Sequence, residues 1–290
     1  MAVNLVTKFI PYVDEMFTTE SKKSLLTNND FEWTGAHTVK VHKVNTVAMN
    51  DYDRDGSDVG TTPGDGDTVI WSRYGALGKV ENTLEEFTLS RDRSFTFAID
   101  KMDKDETGGV LDGASALARQ QREVIIPEVD TYVYGKMATG AGTKETDTTL
   151  TADNIYDEIV EGNTVLDNNE VPDTGRILVV TPDVYLLMKK NPDINMETDV
   201  AEEMRLKGVI ANLDGLTVVK VPKKRLPANF GFMIAHPVAT VAPTKLEEYK
   251  VHQDPPGISG ELVEGRIVYD AFVLDNKKMA IYYEENKPSV

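Results

Sequence analysis

From Leu111 to Ala138 the hydrophobic positions fall at helical spacing. Leu111, Ala114, Ala118, Ile125, Val129, Tyr132 and Lys136 lie on or near one stripe, with Val124, Val133 and Met137 beside it. Asp112 stands where an N-cap is needed, and Gly140 stands where a helix would stop. At about 1.5 Å per residue such a helix reaches on the order of 40 Å, longer than an ordinary globular helix. Pro127 has no N–H to offer the carbonyl of Glu123, so a kink or break is predicted there. A long kinked helix flanked by short strands reads as a structural spine, not as the wall of a catalytic pocket.

Before and after this stretch the period changes to two. In HTVKVHKVNTVAM, from His37, Thr38, Lys40 and His42 alternate with Val39, Val41 and Lys43, and a second run alternates from Thr83 to Ile99. An Asp- and Gly-rich segment joins them, which predicts a long β excursion with an acidic tip. Connections of that length without structure are uncommon and usually functional or disordered. Asp51, Asp53, Asp55, Asp58, Asp65 and Asp67 face only Arg54, so they repel one another unless a partner or an ion neutralises them. Upstream, a short helix over Val13 to Leu26 has no second apolar face; it is either an arm that packs on a neighbour or a frayed terminus.

Downstream, Gly140 to Thr149 is a loop, and Thr151 can cap a helix through Ile155, Ile159 and Leu166. Arg176 to Val180 is a short buried strand. Thr181-Pro182 then opens a helix through Tyr185, Leu186 and Met188. A turn at Asp214-Gly215 precedes the apolar run Leu216 to Val221. The last third returns to strands in KLEEYKVHQ, GRIVYDAFVL and MAIYYE, the last two joined by a turn at Asn276 to Lys278. The pattern is α+β.

Charge and composition narrow the function. A net charge of −17 argues against a dedicated nucleic-acid binder, which would show a basic face. The absence of cysteine excludes disulfides, iron–sulfur clusters and thiol catalysis. Lys8, Pro11 and Asp14 interrupt the apolar start too early for a signal peptide, and no apolar run approaches membrane-spanning length, so no membrane partner is expected.

No motif carries catalysis. Asp51, Asp53 and Asp55 copy the first half of a calcium loop, but Thr62 stands where the bidentate glutamate belongs. Asp173-Thr174-Gly175 matches the aspartic-protease tripeptide without a paired site and reads as a turn. Gly140-Ala-Gly142-Thr-Lys144 lacks the order of a phosphate loop. The four histidines show no metal-ligand spacing. No enzyme, cofactor or metal is expected.

The ordered set of segments resembles the major capsid proteins of tailed bacteriophages, the Hong Kong-type capsid fold. The residues that carry the likeness are FTFAIDKMDKDET (95–107), ARQQREVIIPEVDTYVYGKM (118–137), RILVVTPDVYLLMKK (176–190), GVIANLDGLTVVKVPKKRLP (208–227) and GRIVYDAFVLDNKKMAIYY (265–283). The resemblance implies an N-terminal arm (1–38), an extended β loop (39–98), the spine helix with the first part of a peripheral domain (99–139), an α/β axial domain (140–236) and the return strands of the β-rich peripheral domain (237–290).

The same resemblance implies self-assembly as hexamers and pentamers into an icosahedral shell, made in the host bacterial cytoplasm. The shell would enclose double-stranded DNA without sequence-specific binding. A portal is an implied partner. So is a separate scaffolding protein, because only about 38 residues precede the loop, and a decoration protein is a further candidate. The acidic tip is expected to meet Lys220, Lys223, Lys224 and Arg225 of a neighbour. Some relatives weld their shells through a lysine near the loop tip. No lysine lies between Val44 and Gly78, so mature particles are expected to run as monomer, without a covalent ladder, on a denaturing gel. Two alternatives remain at this stage: an encapsulin-like nanocompartment shell, and a calcium-dependent binding module using Asp51 to Asp55.

Overall fold

A computed structural model describes residues 20–28, 38–62, 69–192, 194 and 212–287. The chain divides into two units: residues 36–88, and residues 1–35 together with 89–290.

In the smaller unit, β1 (Thr38–Val44) pairs antiparallel with β2 (Asn82–Thr88), Thr38 opposite Thr88 and Val44 opposite Asn82. Cross-strand ion pairs Lys40–Glu86 and Lys43–Glu85 lock this register. The strand ends at Val44, short of the apolar Val47 and Met49.

The larger unit is built on two sheets and the long helix. β3 (Arg91–Asp100) was expected within the excursion; it pairs with β11 (Gly260–Tyr269), which also pairs with β10 (Thr244–Gln253). Gly265 of β11 is needed here, because a Cβ would sit 2.2 Å from the Phe95 ring and 2.7 Å from that of Tyr249. The second sheet has six strands, ordered β4 (Thr143–Glu145), β13 (Ile281–Glu285), β8 (Phe230–Ala235), β5 (Ile177–Val180), β7 (Leu216–Lys220) and β6 (Asn212–Leu213). β5 and β8 are buried along their whole length, as expected for central strands with both faces covered. A two-strand pair, β9 (Thr240–Val241) with β12 (Phe272–Val273), completes the strands.

After the short α1 (Lys101–Glu106) comes the spine, 28 residues in three continuous parts. These are α2 (Gly113–Gln120), a wide π turn (Gln121–Ile125) and α3 (Ile126–Gly140). Asp112 caps it, accepting from the N–H groups of Ala114 and Ser115. The Ile126 N–H reaches back five residues to the Gln121 carbonyl, immediately ahead of Pro127. The proline's missing donor is thus accommodated by widening one turn instead of breaking the helix.

That extra residue corrects the expected stripe. Val129, Val133 and Met137, with Asp130, Tyr134 and Ala138, are buried, whereas Lys136 faces out and Tyr132 is half-buried. Upstream, Leu111 and Val124 are exposed. An added residue advances the helix by about 100°, which moves burial from Tyr132 and Lys136 to Val133 and Met137; ahead of the π turn Ala114 and Ala118 are exposed as well, so the stripe does not face the core there either.

The later elements follow local chemistry. Thr151 and Asn154 cap reciprocally, each backbone N–H bonded to the other's side chain, ahead of α4 (Ile155–Asn168). Gly162 of α4 lets the helix approach Tyr282, whose ring is 2.9 Å from where a Cβ would be. Thr181 caps α5 (Pro182–Lys190) by accepting from the Val184 N–H. Asp214 (φ +48°) and Gly215 (φ +75°) form the tight turn between β6 and β7.

Two segments differ from expectation. GRIVYDAFVL breaks at Asp270, whose carboxylate accepts from the Ser90 N–H and hydroxyl, the Tyr132 hydroxyl and the Ala271 N–H. Those bonds hold its pKa below the usual carboxylate range against the opposing effect of burial. The described part of the N-terminal arm docks on its own subunit: Leu26 is fully buried, and Asn28 bridges to Val241. Residues 13–19 of the expected helix lie outside the described residues.

Candidate functional site

The excursion between β1 and β2 is organised from within. Asp53 accepts backbone hydrogen bonds from Asp55, Gly56 and Asp58, at 3.1, 2.8 and 2.9 Å. These donors, the Asp58 amide foremost, hold its pKa below the ordinary carboxylate value. Arg73 ties the other limb to this turn, donating to the Arg54 carbonyl and lying against Gly56. Asp53 N–H bonds to the Arg73 carbonyl, and Ile70 N–H bonds to that of Thr61. The Tyr52 and Tyr74 rings meet edge to face, centroids 5.2 Å apart.

This corrects the expectation that the acidic tip has only Arg54 to balance it. Arg73 is also present, and backbone dipoles absorb the charge of Asp53. Among the described residues no group of three His, Cys, Asp or Glu side chains could hold a metal ion. Asp51, Asp55 and Asp58 are exposed; Asp65 and Asp67 lie outside the described residues.

What the excursion does not do is bury its own apolar side chains. Met49 is 98% exposed, Tyr74 78%, Leu77 70% and Trp71 67%, and Val44, Val80 and Leu84 are also exposed. So many large apolar groups exposed in one segment mark an interaction surface. In the sequence this segment stands out by its charge, while its apolar residues follow neither a two- nor a 3.6-residue period. Their signal was composition: VIWSRYGAL is apolar-rich inside a Gly- and Asp-rich connection.

The basic residues expected to receive the tip belong to the other unit. Lys220, at the end of β7, holds its ammonium 4.4 Å from the centre of the Tyr185 ring, and Lys189 approaches the same ring at 5.2 Å. Lys223 is 3.5 Å from Asp183, both largely exposed, and Lys224 is exposed. Arg225 differs from these three. It is buried and pairs at 2.8 Å with the buried Asp130 of α3, so its charge is committed inside its own subunit.

Asp173-Thr174-Gly175 is a turn. Gly175 has φ +87°, and Asp173 pairs with the buried Arg176, whose other partners are Asp167, Asn163 and the carbonyls of Val171 and Pro172. Among the described residues no helix is long and apolar enough to cross a membrane.

A spine helix, a mixed sheet and a long two-stranded excursion make up the layout of the Hong Kong-type capsid fold. The structure superimposes on that of Mycobacterium phage Che8 with a TM-score of 0.77, at 18% identity, covering 99% of this chain and 100% of that one. The mature capsid of bacteriophage PhiM1 gives 0.69 at 17% identity, covering 98% and 93%. A virus-like particle from Pyrococcus furiosus gives 0.54 at 11%, covering 92% of each chain. No curated protein sequence matches.

Residues 81–283, more than half of the chain, match the model of a family described as phage capsid protein, and the chain belongs to that family. It is a phage major capsid protein, a structural component of the virion that forms the icosahedral head shell and is not an enzyme.

Proposed function

We propose that the shell is knit together by the excursion, residues 38–88, lying on a neighbouring copy within hexamers and pentamers. The observation that carries this reading is the exposure of Met49, Trp71, Tyr74 and Leu77 in a segment whose backbone is nevertheless ordered by Asp53 and Arg73. A heterologous contact of this kind, repeated with rotation, closes into rings. The acidic tip, Asp51 to Asp67, then pairs with Lys220, Lys223 and Lys224 next door. The functional segments are the arm (1–38), the extended loop, the spine helix, the axial domain (140–236) and the return strands of the peripheral domain (237–290). The contact unit that ends at Thr88 supports drawing the loop's end there and not at residue 98.

The wider partners follow from the same role: a portal, a separate scaffolding protein and, on the outer surface, a decoration protein. Double-stranded DNA is enclosed without sequence readout, which suits a wall of net charge −17.

The test is charge removal at the tip. Changing Asp51, Asp53, Asp55, Asp58, Asp65 and Asp67 to Asn is expected to weaken assembled shells at low salt and to flatten their salt dependence, since exposed ion pairs are screened beyond about 10 Å at 0.1 M salt. Light scattering during a salt titration reads both effects. Unchanged shell stability and unchanged salt dependence would refute the pairing.

A further inference from the structure

Among the described residues, Glu284 is a fully buried acidic side chain with a carboxyl oxygen that has no hydrogen-bond partner. It lies on β13 with no exposed surface, in the six-stranded sheet, next to the edge strand β4. One oxygen, Oε2, accepts from the Tyr282 hydroxyl at 3.2 Å, and the Thr148 hydroxyl also bonds to the carboxylate. The other oxygen, Oε1, is buried without a hydrogen-bond partner.

Acidic groups surround it. Glu145 is its register partner on β4, and like charges facing each other across strands are destabilising. Glu158 of α4 is close enough to repel it, and Glu161 and Asp157 repel Glu158 in turn. The Lys287–Asp147 ion pair is exposed, and Lys144 of β4 donates to the Thr139 carbonyl. A buried, unpartnered carboxylate oxygen among carboxylates is expensive when ionised and unremarkable when protonated.

We infer that Glu284 is a proton-operated latch. While its carboxyl carries a proton it holds the strap formed by β4 and the following residues to Leu150 against the sheet edge; on losing the proton it releases that strap. The strap's other ties are the β4–β13 pairing, the Gly142 N–H to the Lys278 carbonyl, the Lys287 N–H to the Thr148 carbonyl, the Leu150 N–H to Asn286 Oδ1, the Asn154 side-chain amide to the Thr149 carbonyl, the exposed Lys287–Asp147 ion pair and the buried Leu150 side chain at its far end. Repulsion between ionised Glu284 and both Glu145 and Glu158 acts against these ties.

The direction follows by linkage. Burial first, then Glu158, pushes the Glu284 carboxyl up to about 7 from an ordinary 4.5, against the opposing hydrogen bonds from Tyr282 and Thr148. The stabilisation is therefore fully present below pH 4.5 and is lost as pH rises through about 7. The latch opens on the alkaline side, the reverse of ordinary acid unfolding. It is a property of the single chain and does not depend on how shells are knit.

Hydrogen–deuterium exchange of residues 143–150 in the full-length chain, corrected for the intrinsic pH dependence, tests it between pH 5 and 9. Opening of the strap is expected to rise on the order of 100-fold across that range. Glu284→Gln, which keeps the shape and stays neutral, is expected to remain protected at pH 9. Glu158→Gln removes the neighbouring charge and is expected to shrink the pH-dependent rise; it carries the test should the first variant fail to fold. Protection of the strap that is independent of pH in the parent chain, or the parental rise persisting in the variants that fold, would overturn the inference.

Discussion

Replacing residues 46–80 with a two-residue Asn-Gly turn between Asn45 and Glu81 is expected to yield a folded chain that no longer assembles. β1 and β2 already form an antiparallel ladder, and the Asn45 N–H bonds to the Glu81 carbonyl at its open end. An Asn-Gly turn is the short connection whose twist suits such a ladder. The deletion removes no member of the buried core in the larger unit, so circular dichroism and the unfolding midpoint should stay near those of the parent. Sedimentation velocity should show loss of every species larger than the monomer. The expected loss is complete because the variant removes both the exposed apolar groups and the acidic tip. Shells of parental size formed by the variant would show that the excursion is dispensable and would sink the proposed mode of assembly.

The largest effect on stability is expected from Arg225→Met. Arg225 and Asp130 are both buried and bonded at 2.8 Å, and Asp130 also accepts from the Ser21 hydroxyl at 2.6 Å. The pair joins three segments distant in sequence: the arm, the spine helix and the turn after β7. Removing one member leaves a buried carboxylate without its counter-charge, which costs about 3–5 kcal/mol. Lys23 is the neighbouring cation, but burial already holds its pKa below the ordinary lysine value, so it can only partly take over. In a chain of this size the midpoint of thermal unfolding should fall on the order of 10 °C. Asp130→Leu combined with Arg225→Met should recover most of the loss, since an apolar pair of similar volume can replace a buried ion pair. A single variant within about 1 kcal/mol of the parent would mean that water or Lys23 compensates the charge.

The two predictions separate what binds from what folds. The lysines at 220, 223 and 224 are on the surface and available to a partner; Arg225, one residue further on, is not. Adjacent basic residues look equivalent in a sequence because charge type carries no information on which way the side chain faces. Only the packing of the 3₁₀ turn Lys223–Arg225 against α3 distinguishes them.

Elements governed by local chemistry were legible in the residues. Asp112 and Thr181 cap their helices, and Asp214-Gly215 turns a hairpin. Of the alternating run from His37, Thr38–Val44 is a strand, and the run from Thr83 to Ile99 falls in two strands, β2 and β3; capping, positive φ and side-chain alternation depend on near neighbours. The family was also legible there, through the order of its segments. Tertiary structure alone decided which strand pairs with which: β3 looks continuous with β2 but joins β11, some 170 residues away. It decided the phase of the spine, where the π turn ahead of Pro127 moves burial onto Val133 and Met137. It also decided which carboxylates are committed, for Asp53 is satisfied by amides, Asp130 by Arg225 and Asp270 by Ser90 and Tyr132, while Glu284 has an oxygen with no partner at all. Burial and long-range partners fix the state of a charged side chain, and neither is a property of its place in the chain.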